Sequence, residues 1–98
     1  SKILFYSWAG PKLSDRAKKE IRKLPQHIAL MLQDWAEDVE ERGLEEVRKI
    51  HGYHDEPCKG KMRGYRSIRL SRAYRAYYTI QRSHIEFVRI ERVDKHEY

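Results

Sequence analysis

Residues 65–81 read YRSIRLSRAYRAYYTIQ, and this segment determines the predicted fold more than any other part of the chain. Aromatic and β-branched residues alternate here with polar ones, a pattern typical of half-buried strands. We predict one strand over 65–70 and a second over 74–81, with a third, rich in Ile, Phe and Val, over 84–93. The connections are short, which favours antiparallel neighbours. The last third of the chain is therefore expected to form a β-meander.

Alternation along the first two strands divides their side chains between two faces of the sheet. The mainly apolar set, expected to face the core, comprises Ile68, Leu70, Ala76, Tyr78 and Ile80. The opposite set comprises Tyr65, Ser67, Arg69, Arg75, Tyr77 and Thr79. Two arginines on adjacent strands can bind one phosphate through forked, charge-assisted hydrogen bonds. We expect Arg69 and Arg75 on the uncovered face; the alternative is that they are cross-strand charges that only promote solubility.

Two helices are predicted before the meander. Their apolar residues recur at steps of three and four: Ala17, Ile21, Leu24, Ile28, Leu32, Trp35 and Val39. Ser14 or Asp15 can cap the first helix, over 14–23, while Pro25 suits the first position of the second, over 25–42, and Gly43 its end. A β-prone run at 3–8 precedes them, one more helical turn is possible over 44–50, and 51–64 is predicted to be a loop.

These elements predict a single domain over residues 1–98 with the order β-αα-βββ. The fold class is α+β, with a small antiparallel sheet packed against an N-terminal helical hairpin. No apolar run approaches the length of a membrane span, so no membrane contact is expected. With Cys58 as the only cysteine, an intramolecular disulfide is impossible, and a cytoplasmic, bacterial setting is the expectation.

The charge distribution points to a polyanionic partner. The chain carries a net charge of +6, and no acidic residue lies between positions 59 and 85, where eight basic ones occur. Seven acidic residues lie instead between Asp34 and Glu46. An acidic flank opposite a basic face would orient an approaching phosphate-rich molecule, most simply a nucleic acid.

Motifs for other chemistry are weak. His51, His54, Asp55 and Glu56 are close in sequence, yet their spacing matches no recognised metal-ligand pattern, and we expect no metal or other cofactor. No glycine-rich phosphate loop and no nucleophile elbow is present. His96 is a possible general acid or base and Tyr98 a possible stacking or hydrogen-bonding residue, although a terminal histidine is more often a solvated surface residue.

Three stretches carry a family resemblance: KGKMRGYRSIRL at 59–70, YRAYY at 74–78 and VDKHEY at 93–98. Together with Lys23-Leu24-Pro25 before an amphipathic helix, they resemble the RelE/ParE superfamily of toxins from bacterial type II toxin–antitoxin systems, especially RelE- and HigB-like members. The resemblance covers nearly the whole chain and is strongest over 59–98. It implies a toxin whose partners are a cognate antitoxin protein, mRNA and the ribosome with its ribosomal RNA.

The resemblance also implies an activity, that of a ribosome-dependent, metal-independent mRNA endoribonuclease in which the ribose 2′-OH attacks the adjacent phosphate. Arg75 matches the family's arginine at the scissile phosphate, and Arg69 an assisting cation. His96 and Tyr98 resemble the C-terminal acid–base and stacking positions, here separated by Glu97. The RNA-binding residues implied by the basic loop and run are Lys59, Lys61, Arg63, Arg66 and Arg72.

Two other functions stay open at this stage. ParE-like members of the superfamily inhibit DNA gyrase without cleaving anything, on the same fold. A degenerate toxin that only binds RNA is the other alternative. Because one fold can serve several functions, the choice depends on the site residues.

Overall fold

The computed structural model describes residues 12–81 and 84–93. Its strands are β1 (Lys12–Leu13), β2 (Glu56–Pro57), β3 (Arg66–Arg69), β4 (Tyr74–Ile80) and β5 (Ile85–Arg92). They form one sheet in the spatial order β1-β5-β4-β3-β2. The β1–β5 pair is parallel and the other three pairs are antiparallel. The predicted α+β class and the meander are confirmed, but the sheet is mixed; the strand predicted at 3–8 lies outside the described residues.

Three helices accompany the sheet: α1 (Asp15–Arg22), α2 (Gln26–Arg42) and α3 (Leu44–Val47). Ser14 caps α1, because its Oγ accepts a hydrogen bond from the Ala17 N–H at 3.0 Å. Pro25 lies one residue before α2, not at its first position as predicted, and its carbonyl accepts from the Ile28 N–H. Gly43 ends α2 with φ 85°, a conformation that favours glycine. The extra helical turn, predicted over 44–50, is α3.

An aromatic cluster joins α2 to the sheet. The Trp35 ring lies 5.0 Å from that of Tyr78 and 5.3 Å, edge-on, from that of Phe87, and all three side chains are fully buried. Offset and edge-on ring pairs of this kind stabilise a core beyond their burial alone. Ile80, predicted to face the core, is instead 53% exposed at the last position of β4.

Helix α1 is fixed against the outer edge of β5 through two side chains. The Ser14 hydroxyl donates to the Val88 carbonyl at 3.1 Å, and Glu20 Oε1 accepts from the Ile90 N–H at 2.7 Å. These bonds satisfy backbone groups of β5 that lie beyond the short β1 pairing. The helix and the strand therefore keep one relative position.

A bulge in β5 determines which of its side chains reach each face. Tyr77 pairs with Arg89, whereas Tyr78 pairs with Phe87, so Val88 is the extra residue. Without the bulge, strict alternation would place Phe87 and Ile90 on opposite faces. With it, both are buried in the core and Arg89 lies opposite Tyr77 on the other face. Among the residues described, no helix combines the length and the apolar character needed to cross a membrane.

Candidate functional site

Polar side chains line the sheet face opposite the core, which we call the open face. Cross-strand pairing arranges them in two rows. One row comprises Glu56, Ser67, Tyr77 and Arg89, and the other Arg69, Arg75 and Glu91. Arg69 and Arg75 share this face, as the alternation predicted, and the structure shows that they are direct cross-strand partners. Side chains opposite each other on adjacent antiparallel strands have Cβ atoms about 5 Å apart, so both guanidinium groups can reach one small anion.

Arg75 is the best-positioned cation of the open face. Its Nη2 donates to Ser67 Oγ at 2.8 Å and lies 3.9 Å from Glu56 Oε2. Its side chain is 26% exposed, so the guanidinium group is held in place yet open to a ligand. The partly buried Cys58 thiol lies nearby, and burial raises its pKa, which keeps the thiol protonated and poorly nucleophilic. The Arg75 guanidinium group, and not the thiol, is therefore the group suited to bind a ligand here.

Arg69 contacts a histidine from the loop before β2. Its Nη1 lies 3.3 Å from His54 Nε2. His54 has left-handed backbone angles, φ 49° and ψ 50°, and is the only non-glycine residue with positive φ in the described chain. Such a conformation is uncommon outside glycine and is found often at functional sites. The loop thus brings an imidazole to the edge of the arginine pair.

The other end of the open face is built around Tyr77. Its hydroxyl donates to Glu91 Oε2 at 3.1 Å, and the Arg89 guanidinium lies 5.9 Å from its ring centroid. Burial and the neighbouring Glu91 charge raise the pKa of Tyr77, so its phenol stays protonated at neutral pH. Arg89 also contacts Met62 Sδ, at 3.6 Å, which links β5 to the basic loop, the segment that carries Lys59, Lys61 and Arg63.

Arg66, predicted to bind RNA, has a different position. It pairs with Tyr78 and so belongs to the opposite side of β3 from Ser67 and Arg69. Its Nε donates to Asp55 Oδ1 at 2.7 Å, and the Asp55 side chain is fully buried. The Tyr78 hydroxyl donates to the other Asp55 oxygen at 2.6 Å. The geometry thus favours a structural role for Arg66, because its charge is already matched by Asp55.

The Asp55 cluster, formed by Asp55, Arg66 and Tyr78, anchors the loop that carries His54 and Glu56. Burial, followed by the bond to Asp55, raises the pKa of Tyr78. A second anchor is the Tyr53 hydroxyl, which donates to Asp38 Oδ2 of α2 at 2.8 Å. Burial and this bond raise the pKa of Tyr53. The loop is therefore tied to both the sheet and α2.

The remaining predicted RNA-binding residues lie on the surface. Lys59, Lys61, Arg63 and Arg72 are all exposed. A single turn of 3-10 helix at Gly60–Met62 presents the first three beside Arg89's contact with Met62. Within residues 12–81 and 84–93, none of these four cations forms an ion pair. They are free to contact a polyanion.

Glu56 was not predicted as a catalytic residue. The sequence predicts a loop at this position, in which Glu56 suggests only a weak metal site. The two-residue strand β2 pairs Glu56 with Ser67 and so brings it to the open face beside Arg75. No sequence signal identifies a strand this short. In the part of the chain that the structure describes, no three His, Cys, Asp or Glu residues are placed to hold a metal ion. His96 and Tyr98 lie outside the described residues.

Several solved structures share this fold. YafQ from E. coli strain BL21(DE3) superimposes with a TM-score of 0.69 at 15% identity, over 87% of this chain and 93% of YafQ. YoeB in the YoeB–YefM complex from Staphylococcus aureus superimposes with a TM-score of 0.68 at 17% identity, over 93% of this chain and 99% of that chain. The matching chain of the toxin–antitoxin complex RelBE2 from Mycobacterium tuberculosis has a TM-score of 0.62 at 18% identity, over 87% of this chain and 98% of that chain. At these identities the likeness demonstrates the fold.

The sequence itself gives the family. No curated protein matches the chain. Residues 12–96, however, match the model of the ParE toxin of the type II toxin–antitoxin system parDE. That match spans most of the chain and agrees with the fold and with the resemblance noted in the sequence. The chain therefore belongs to the ParE toxin family, within the RelE/ParE superfamily of type II toxin–antitoxin toxins.

Proposed function

We propose that this toxin is an endoribonuclease that cuts mRNA on the ribosome and needs no metal ion. The observation that carries the proposal is the cross-strand pair Arg69 and Arg75 on the open face, with Glu56 3.9 Å from Arg75. Two cations beside a carboxylate suit phosphate transesterification. The cations can offset the charge of the phosphorane, and the carboxylate can accept a proton.

The proposed reaction is an internal transfer within the RNA. The ribose 2′-oxygen attacks the adjacent phosphorus as a base removes its proton. The bond from phosphorus to the 5′-oxygen of the next nucleotide breaks, and an acid protonates that oxygen. The products carry a 2′,3′-cyclic phosphate and a 5′-hydroxyl. Holding the 2′-oxygen in line with the leaving oxygen supplies much of the acceleration.

Roles for the residues follow from charge and position. Arg75, fixed by Ser67, would neutralise the non-bridging oxygens of the phosphorane, and Arg69 would assist from β3. Glu56, as a carboxylate at the same edge, is our candidate for the base that accepts the 2′-OH proton. From the family resemblance alone, His96 is proposed as the acid and Tyr98 as a residue that stacks on a base.

The exposed cations would hold the RNA strand. We assign Lys59, Lys61, Arg63 and Arg72 to contacts with the backbone of mRNA or ribosomal RNA. Such contacts fix the register of a strand without reading its bases. The cytoplasm is the proposed location, because it is where ribosomes and mRNA meet.

We also propose a cognate antitoxin as a protein partner. The Staphylococcus aureus YoeB structure is a complex with YefM, and the Mycobacterium tuberculosis structure is a toxin–antitoxin complex. An acidic or amphipathic segment that folds on binding would suit the basic open face. Co-expression with the product of the neighbouring gene, followed by purification in low salt, should yield a complex; recovery of the free toxin would count against this partner.

A second function is favoured by the family model, which is that of ParE toxins. ParE-like proteins inhibit DNA gyrase without cleaving a substrate. Purified toxin should be assayed with a defined mRNA, with and without programmed ribosomes, and in parallel with gyrase and relaxed plasmid. Ribosome-dependent cuts that leave a 2′,3′-cyclic phosphate support the nuclease. Inhibited supercoiling without RNA cleavage would replace it with the gyrase inhibitor.

A further inference from the structure

A cavity adjoins the open face at the Arg69 end. Its volume is about 230 Å³, and it is lined by the segments 48–51 and 54–56, from the end of α3 to the start of β2. Neither the arginine pair nor the exposed basic loop lines it. The cavity is therefore distinct from the arginine pair, and Glu56, the candidate base, is the residue that lies beside both.

A continuous series of basic side chains joins the cavity to the arginine pair. Arg75 faces Arg69 across β3 and β4, and Arg69 Nη1 lies 3.3 Å from His54 Nε2. The His54 ring lies 5.9 Å from that of His51, which lines the same cavity as Arg48. A strand of RNA bound at the arginine pair could thus continue into the cavity without leaving a basic surface.

The contact between Arg69 and His54 fixes the tautomer of His54. An arginine side chain has only donors, so the lone pair of His54 Nε2 must accept the hydrogen bond. The ring proton then sits on Nδ1, which is left as a donor. His54 also lines the cavity, where a donor of this kind suits an acceptor such as a phosphate oxygen.

The charge of the lining favours an anion. Arg48 and Lys49 are both exposed cations, and Lys49 has only an exposed, 3.4 Å contact with Glu46. Of the two acids in the lining, Asp55 is buried and neutralised by Arg66. The other, Glu56, faces Arg75. The cavity therefore presents two cations and two imidazoles against one opposing carboxylate that is already paired.

We propose that this cavity is a second phosphate-binding subsite, formed by Arg48, Lys49, His51 and His54. Its occupant would be a backbone phosphate of the same RNA strand, next to the phosphate held by Arg69 and Arg75. That the bound strand is RNA rests on the proposed function, whereas the affinity of the cavity for phosphate does not. Its role is to set the path of the RNA on one side of the cut.

The test measures binding, so that it stays distinct from cleavage. Inorganic phosphate is titrated into the toxin at constant ionic strength, and the histidine ring and backbone amide signals are followed by NMR. The signals of His51 and His54 should shift together in the wild type. Both shifts should be lost in a variant carrying Arg48→Ala and Lys49→Ala. The His51 shift should also be lost in His54→Asn, which keeps a residue tolerant of the left-handed backbone. A matched control with the same charge change, Arg22→Ala with Lys23→Ala at the end of α1, should keep them.

A second arm distinguishes RNA from free phosphate. A short 2′-O-methyl oligoribonucleotide, which cannot be cleaved, is bound at several salt concentrations. Loss of this one phosphate contact on a single strand should reduce the slope of log affinity against log salt by about 0.7 in the Arg48→Ala, Lys49→Ala variant. Phosphate shifts with an unchanged RNA slope would overturn the RNA assignment. Equal phosphate shifts in this variant and in wild type, or none in wild type, would overturn the subsite itself.

Discussion

Replacing Asp55 by Asn should destabilise the protein strongly, although the two side chains have the same shape. The carboxylate is fully buried and accepts from Arg66 at 2.7 Å and from Tyr78 at 2.6 Å. Removing one partner of a buried ion pair leaves the other charge uncompensated, at a cost of about 3–5 kcal/mol. The Arg66 side chain is 19% exposed, so water can partly solvate its charge, and we expect a loss of about 3 kcal/mol in the free energy of unfolding, the lower end of that range.

A double-mutant cycle with Tyr78→Phe isolates the hydrogen bond within this cluster. Tyr78→Phe alone should cost about 1.5–3 kcal/mol, since its hydroxyl donates to a charged acceptor. The double variant should have a free energy of unfolding only slightly below that of Asp55→Asn, because the carboxylate that accepts from Tyr78 is already replaced. The free energies of unfolding come from urea titrations, and the Asp55→Asn midpoint temperature should fall by more than about 10 °C. Additive effects, or a fall of only about 2 °C, would refute the buried anchor.

Three further outcomes follow from the same geometry. The pKa values of both Tyr53 and Tyr78 are raised in the folded state, so above pH of about 10 the native protein retains protons that the unfolded chain loses. The free energy of unfolding should therefore fall with rising pH in that range. Urea unfolding at several alkaline pH values should show a smaller fall for Tyr78→Phe than for wild type, and parallel dependences on pH would contradict this. Gly43→Ala should cost about 1–3 kcal/mol because its backbone angles, φ 85° and ψ 150°, are adopted almost only by glycine. A Cβ there would meet no atom within 4 Å, so a steric clash adds nothing, and an unchanged urea midpoint would rule out a backbone origin. Ribosome affinity should fall steeply with salt if the exposed cations neutralise phosphates, and a flat response in a sedimentation assay would remove that electrostatic argument.

Local pattern was enough to predict the elements that bury an apolar face. The spacing from Ala17 to Val39 predicted both long helices, and Gly43 the end of the second. Alternation in β3 and β4 placed Arg69 and Arg75 together on the open face, whereas their direct pairing depends on the register of the two strands. These features depend on sequence neighbours a few residues apart, and that information is present in the chain itself.

What the sequence did not predict depends on pairing between distant segments. The two-residue β2 exists only because β3 offers a free edge, so Glu56 was assigned to a loop. The bulge at Val88 brings Arg89 to the open face by shifting the register of β5 against β4. Arg66 was counted with the basic run because its buried partner, Asp55, lies eleven residues away on the other side of a turn. Charge counts along a sequence cannot separate an exposed cation from one already paired.

The central claim is that the arginine pair on the open face stabilises the charge of a cleaving phosphate. The most direct test is cleavage of a defined mRNA on programmed ribosomes by wild type, Arg75→Ala and the surface control Arg22→Ala. Removing a group that offsets transition-state charge should lower the rate by about 10²–10³-fold or more for Arg75→Ala. The melting temperature should stay near that of wild type, because the side chain lies on the open face, and Arg22→Ala should cut normally. A folded Arg75→Ala variant that cleaves at the wild-type rate would contradict the account.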